Sequence, residues 1–228
     1  HDPITSLNPT HTEGNQFLEQ MNLHFPEMSR TEKIKRVDEM MTLVGIPPER
    51  KNSYPHEFSG GMKQRIVIAM ALVAEPELLL ADEPTTALDV TIQAQILELM
   101  QQLREKFNTS VMLITHDLGV VAQFCDSVSV VYAGRVVEFG PVETVFQRKE
   151  NHPYTAGLFN CIPNLEDEQP RLHPIAGHMA DPRKEYTGCC FADRCEYATD
   201  ICRKQPPAMH VCGDHGIMCH RYADKEVF

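Results

Sequence analysis

Apolar positions along this chain follow two rhythms. Short runs mark strands: Leu78 to Ala81, the stretch from Ser110 to Thr115, and the pair SVSVVY and RVVEF on either side of Ala133-Gly134. The first two read as buried strands and the pair reads as a hairpin. Spacings of three and four mark helices. Ile34, Val37, Met41 and Val44 share one face behind Ser29-Arg30-Thr31-Glu32, which has the form of a capping box. Gly45 then stops the helix ahead of Pro47-Pro48. Residues 11 to 58 are thus expected to be mostly helical, with the Met40-Met41 pair in the core. Ser59 can cap a helix that begins near Gly61 and runs through the apolar residues 62 to 74, until Pro76 ends it. Ile92, Ile96, Leu99 and Leu103 make one face of another helix ending near Phe107, and Leu118 to Cys125 a shorter one. Helices interleaved with strands predict an α/β fold.

Composition narrows the class. The 228 residues are 42% hydrophobic and 23% charged, as in an ordinary globular protein. The longest apolar run, Ile66 to Ala74, falls far short of the roughly 20 residues a membrane span needs. A net charge of -11 without a basic cluster argues against a nucleic-acid groove. No signal-peptide pattern and no initiator Met open the chain, so a fragment of a longer protein is expected. Six of the eight cysteines fall between residues 189 and 219, which suggests a metal or cluster site in a reducing compartment ahead of disulfides.

Candidate chemistry gathers where the strands end. Asp82 and Glu83 follow the run 78–81 directly, and Pro84 stops that strand. Ligands of open α/β sheets bind outside the carboxyl ends of strands, where one carboxylate can hold a metal and a second can orient or deprotonate a water. Many strands also end in acidic residues that are merely solvated. Ser59-Gly60-Gly61 opens a helix, and glycines there let a phosphate approach the backbone and the helix N-terminus; a flexible turn before a helix has the same look. Asp89 can serve as the N-cap of the helix starting at Val90. His116 closes the strand 110–115, which is expected to lie beside the run 78–81.

Taken together, FSGGMKQR at 58–65, LLLADEPTTALD at 78–89 and MLITHD at 112–117 resemble the signature loop, Walker B segment and switch histidine of the ATP-binding-cassette ATPases. The resemblance implies a P-loop ATPase domain of that type over 1–150, with a helical subdomain over about 10–75. It gives Asp82 to Mg²⁺, Glu83 to the attacking water, and His116 to the γ-phosphate and Glu83. It assigns Ser59, Gly60, Gly61, Met62, Lys63 and Gln64 to the γ-phosphate of an ATP held by an opposite subunit, and Asp89 to a contact across that dimer. Residues 1–9, turn-rich by composition, match the Q-loop segment, with His1 where a Gln is usual. No G-x-x-x-x-G-K-[ST] string occurs in the chain; the family carries that phosphate loop ahead of the Q-loop, so little ATP turnover is expected of the chain alone.

The remainder, 151–228, narrows the resemblance to the oligopeptide, dipeptide and nickel permease branch. NHPYTAGLFNCIPNL at 151–165 is similar to the extension of that branch. Cys189, Cys195, Cys202 and Cys219, spaced C-x5-C-x6-C-x16-C, match its terminal cysteine pattern, which is associated with a [4Fe–4S] cluster. Thiolates suit iron–sulfur clusters and zinc alike; Cys190 and Cys212 are possible substitutes, and His210, His215 and His220 keep zinc open. Cys125 and Cys161 read as small buried residues. The resemblance further implies an ATP-hydrolysing subunit of a peptide importer on the cytoplasmic face of the inner membrane. Its partners are a second ATPase subunit, identical or related, two transmembrane permease subunits and a periplasmic or extracellular solute-binding protein, without nucleic acid. Two rivals are a non-transport cassette ATPase, disfavoured by the lack of a long heptad run between residues 10 and 58, and a catalytically inactive module that keeps the metal-binding tail.

Overall fold

The computed structural model describes residues 3–86, 88–147, 150–162, 174–181 and 183–223. The expectations for His1, for Ala87 within TALD and for residues 163–165 lie outside them. The chain divides into two compact units, His1–Val120 and Val121–Phe228. The units therefore meet in sequence about 30 residues before the division at 150 that separates the two family resemblances.

In the first unit the turn-rich start contains a short helix, α1 (Pro3–Ser6), where a loop was expected. Three longer helices follow: α2 (Glu13–His24), α3 (Arg30–Leu43) and α4 (Gly60–Leu72). The capping box is formed. Ser29 Oγ accepts from Glu32 N at 3.3 Å, and Glu32 Oε2 accepts from Ser29 N at 2.8 Å. Helix α3 ends because Gly45 takes a left-handed φ of 75° that is costly for other residues. Phe17, Met21, Met40, Met41, Ile66 and Leu72 are almost wholly buried where α2, α3 and α4 pack together, so both methionines are core residues as expected.

Next come β1 (Leu78–Asp82), α5 (Val90–Phe107) and β2 (Ser110–Ile114). Strands β1 and β2 pair in parallel, Leu78 opposite Ser110 and Asp82 opposite Ile114. The two strands form as expected but are not buried. Alternation puts Leu78, Leu80, Met112 and Ile114 on one face, each at least half exposed, while Ala81 on the other face is buried. A two-stranded sheet has two faces, and among the described residues only one is covered. Helix α5 ends at Asn108 in the left-handed region, and its buried face is Ile96, Leu97, Leu99, Met100 and Leu103.

Helix α6 (Leu118–Phe124) leads to the hairpin β3 (Ser127–Tyr132) and β4 (Arg135–Pro141). Ala133 and Gly134 both have positive φ, the turn that matches the twist of a two-residue hairpin. Strand β4 ends at Pro141 and pairs on its free side with a strand of the C-terminal tail. The second unit adds α7 (Val142–Gln147), α8 (Pro153–Asn160), α9 (Asp200–Lys204), β5 (His210–Cys212) and β6 (His215–Ile217). Its sheet runs β3-β4-β6-β5, all antiparallel. Two glycines permit the β4–β6 join: a Cβ on Gly140 would stand 2.9 Å from the His215 ring, and one on Gly216 would overlap the Phe139 ring. Tyr132, Phe191 and Tyr154 stack in the core beside this sheet, with ring centroids 4.7 to 5.5 Å apart. Cys125 and Cys161 are half-buried, so the expectation that both are buried does not hold.

Candidate functional site

The end of β1 is a strained corner. Glu83 directly follows the strand with φ of 50°, a left-handed conformation rare for a residue with a Cβ, and its N–H donates to Ile114 O at 2.9 Å. The backbone bond ties Glu83 to the end of β2, which delivers His116. His116 Nδ1 stands 2.8 Å from Glu83 Oε1. Thr86, three residues on in the same turn, donates its hydroxyl to Glu83 Oε2. Both carboxylate oxygens are thus engaged. The Thr86 hydroxyl first, and His116 second, hold the Glu83 carboxyl below the usual range. The same contact holds the His116 imidazole above its ordinary value. Both side chains are open to solvent, His116 by 79%.

Asp82 ends β1 half-buried, one residue before this pair. Asp117 is held from two sides. Its Oδ2 accepts from Gln93 Nε2 of α5 at 3.0 Å, and its Oδ1 accepts from Gly119 N and Val120 N. Those bonds, led by Gln93, hold its carboxyl below the usual range. Thr86 and Gln93 escaped the sequence reading. The one signal for Thr86 was its place three residues after Glu83 in a Pro-stopped turn; nothing local marks Gln93, because its partner lies 24 residues away.

The signature segment stands at a separate helix start. Ser59 caps α4, accepting from Met62 N at 3.4 Å. Asp89 caps α5, accepting from Ile92 N at 3.0 Å. The two capped starts touch: a Cβ on Gly61 would lie 2.8 Å from Ile92 Cγ2, whereas one on Gly60 would meet open space. Gly61 is therefore small for helix packing, and Gly60 is the glycine that leaves room for a ligand. Met62 and Lys63 are half-buried, but Gln64 is 3% exposed and belongs to the packed interior.

The four expected cysteines converge. Cys189, Cys195, Cys202 and Cys219 all line one small cavity of about 20 Å³, with His152 and His220 also in its wall. Burial pushes the Cys189 thiol up to about 11, and raises Cys195 and Cys219 as well. Cys190 turns elsewhere, toward Tyr132 O at 3.8 Å, and His215 is buried against Glu138. The thiols share a cavity without standing in a ligating arrangement: among the described residues no group of three or more His, Cys, Asp or Glu is disposed to hold a metal ion. The cavity has room for about one water-sized sphere.

The ABC transporter family matches residues 4–86, and the oligopeptide/dipeptide transporter C-terminal region matches 137–202. A putative peptide import ATP-binding protein of Brucella ovis is 47% identical over 232 residues, covering 98% of this chain and 68% of its own length. The chain belongs to the ABC transporter ATP-binding proteins of the oligopeptide/dipeptide branch. A probable peptide ABC transporter ATP-binding protein of Sinorhizobium fredii is 50% identical, covering 96% of the chain and 66% of the relative. The dipeptide transport ATP-binding protein DppD of Bacillus subtilis is also 50% identical, over 96% and 65%. The chain thus spans slightly under two thirds of the length of these two ABC transporter proteins. Among solved structures, cbiO1 of Clostridium perfringens, part of an ABC transporter complex, matches with a TM-score of 0.57 and 32% identity over 65% of this chain and 57% of that one. A dimeric, post-hydrolysis ATP-binding cassette bound to ADP and Pi matches with a TM-score of 0.52 and 31% identity over 60% and 59%. No helix among the described residues of this ABC protein is long and apolar enough to cross a membrane.

Proposed function

We propose that this chain is the signature, Walker B and tail portion of an ATP-hydrolysing subunit that powers a peptide importer. The observation that carries the reading is the Glu83–His116 contact at the joined ends of β1 and β2. A carboxylate kept ionised by Thr86 and His116 can accept a proton from water, and an exposed imidazole beside it can donate to a phosphate oxygen. Each Glu83 oxygen takes one of these contacts and keeps a second acceptor position, so an incoming water can bind beside Thr86 and His116. Asp82, one residue earlier, is the Mg²⁺ residue; oxygen donors suit that hard cation, which neutralises charge on the phosphates when bound.

The signature residues Ser59, Gly60 and Lys63 and the cap Asp89 serve a second ATPase subunit. Two capped helix starts side by side offer unpaired N–H groups suited to an anion. Gln64 acts in this reading by packing, not contact. The dimeric cassette with ADP and Pi supports a two-subunit arrangement. The names of the peptide and dipeptide relatives support peptides as cargo, with two permease subunits and a solute-binding protein as partners at the cytoplasmic face of the membrane. Residues 1–150 are the ATPase part and 151–228 the extension of that branch. The test is hydrolysis by the chain with a phosphate loop supplied ahead of residue 1, reconstituted with permease subunits in vesicles. Stimulation by peptide-loaded binding protein supports the reading, and indifference to every peptide tried contradicts the importer role.

Cys189, Cys195, Cys202 and Cys219 hold a metal centre in the same proposal. The resemblance of the cysteine pattern to the tail of that permease branch favours a [4Fe–4S] cluster, and thiolates with histidines nearby keep zinc as the alternative. Iron, acid-labile sulfide and zinc, counted per chain after anaerobic purification, decide between them. About four irons and four sulfides mark the cluster, one zinc marks the ion, and neither metal removes the centre.

A further inference from the structure

Glu138 on β4 is a carboxylate wholly removed from solvent, and the candidate ATPase chemistry makes no use of it. Three donors meet it. His215 Nε2 of β6 lies 2.8 Å from Oε1, Asn151 Nδ2 donates to Oε1 at 3.1 Å, and the His152 N–H donates to Oε2 at 2.9 Å. Asn151 is pinned further, donating to Val145 O at 2.8 Å and accepting at its own carbonyl from the Tyr222 hydroxyl at 3.0 Å. Two of these partners lead to the cysteine cavity, His152 directly and His215 through the strand β6 that precedes Cys219. The His152 side chain stands in its wall, and Cys219 lies between β6 and Tyr222 and packs with Ile217 and Tyr222. One buried side chain on the hairpin therefore fixes two separate stretches of the tail that frame the thiols.

We infer that Glu138 is the positioning residue of the cysteine cavity, holding His152 and β6 in the places that bring Cys219 to the other thiols. The inference takes the metal centre proposed above as its ligand, but the placement of the thiols can be read without it. The chemistry requires a carboxylate. Three donors need acceptors on both oxygens, and a Gln offers one oxygen and one amide, so Glu138→Gln sets an N–H against an N–H whichever way it turns.

The test uses the whole chain, metal-free under reducing conditions. The rate of iodoacetamide labelling is read at each cysteine by mass spectrometry, with half-buried Cys125 as internal reference, followed by titration with Co²⁺ under anaerobic conditions. Glu138→Gln is expected to speed labelling of Cys219 about tenfold relative to Cys125, and to weaken Co²⁺ binding by about tenfold or more, with an altered thiolate absorption band. Tyr222→Phe removes the hydroxyl that donates to Asn151 O and is expected to move both readouts the same way by less; it decides the matter if Glu138→Gln does not fold. Unchanged labelling and unchanged cobalt affinity in these variants overturn the inference. If the unchanged chain takes up neither cobalt nor iron, the metal proposal fails, and the labelling rates alone then decide the role of Glu138.

Discussion

Glu13 gives the most quantitative prediction. It is the first residue of α2, wholly buried, with no hydrogen-bond partner for either carboxylate oxygen. Burial raises its carboxyl from 4.5 to about 7, against a smaller opposing pull from Lys63. The native state thus keeps a proton that the unfolded chain releases near 4.5. Stability from this group is full below pH 4.5, falls as pH rises toward 7, and is flat above. At about 1.4 kcal/mol per unit the loss comes to roughly 3 to 4 kcal/mol, and local relaxation brings an expected value of about 2 kcal/mol. Glu13→Gln keeps the shape and removes the titration. The variant should match the unchanged chain near pH 4.5 and exceed it by about 2 kcal/mol at pH 8. Urea unfolding from pH 4.5 to 8, with hydrogen exchange of the α2 and α3 amides to read the first unit by itself, measures the difference. A gap that stays constant with pH, or widens toward acid, refutes the burial argument.

Two further outcomes follow from single contacts. Gly61→Ala should destabilise the α4–α5 packing, because the new Cβ meets Ile92 Cγ2 at 2.8 Å; Ile92→Ala in the same chain should recover most of the loss, and simple additivity in thermal melts would contradict the contact. Thr86→Ala removes the largest influence holding the Glu83 carboxyl low, so the acid limb of the ATP hydrolysis profile should move to higher pH; an unmoved limb means that Thr86 has left Glu83 before the chemical step.

Much of the candidate site was legible because it is local. Capping at Ser29, Ser59 and Asp89 is written in one turn of sequence, and all three caps are formed. The Glu83–His116 contact needed one inference across sequence, that 78–82 and 110–114 lie side by side, and the family resemblance of the two segments made it readable. Contacts between residues far apart in sequence stayed hidden. The β4–β6 ladder joins positions nearly 80 residues apart, and nothing local to Gly140 or Gly216 announces the close approach that needs them. Glu138 lies on a strand of the hairpin, and nothing local marks it as buried; it is buried because the tail covers that face. The half-exposed faces of β1 and β2 show the reverse: an apolar run states what can be buried, not what covers it.

The central claim is that Glu83 activates the water that attacks ATP. The direct measurement is Glu83→Gln in the chain with a phosphate loop supplied ahead of residue 1 and assembled with its partner subunit. Bound nucleotide and released phosphate are followed together with labelled ATP and Mg²⁺. ATP should stay bound while phosphate release falls by at least about a hundredfold. Phosphate release at the unchanged rate would contradict the claim and move the search for the base to another residue of the β1–β2 corner.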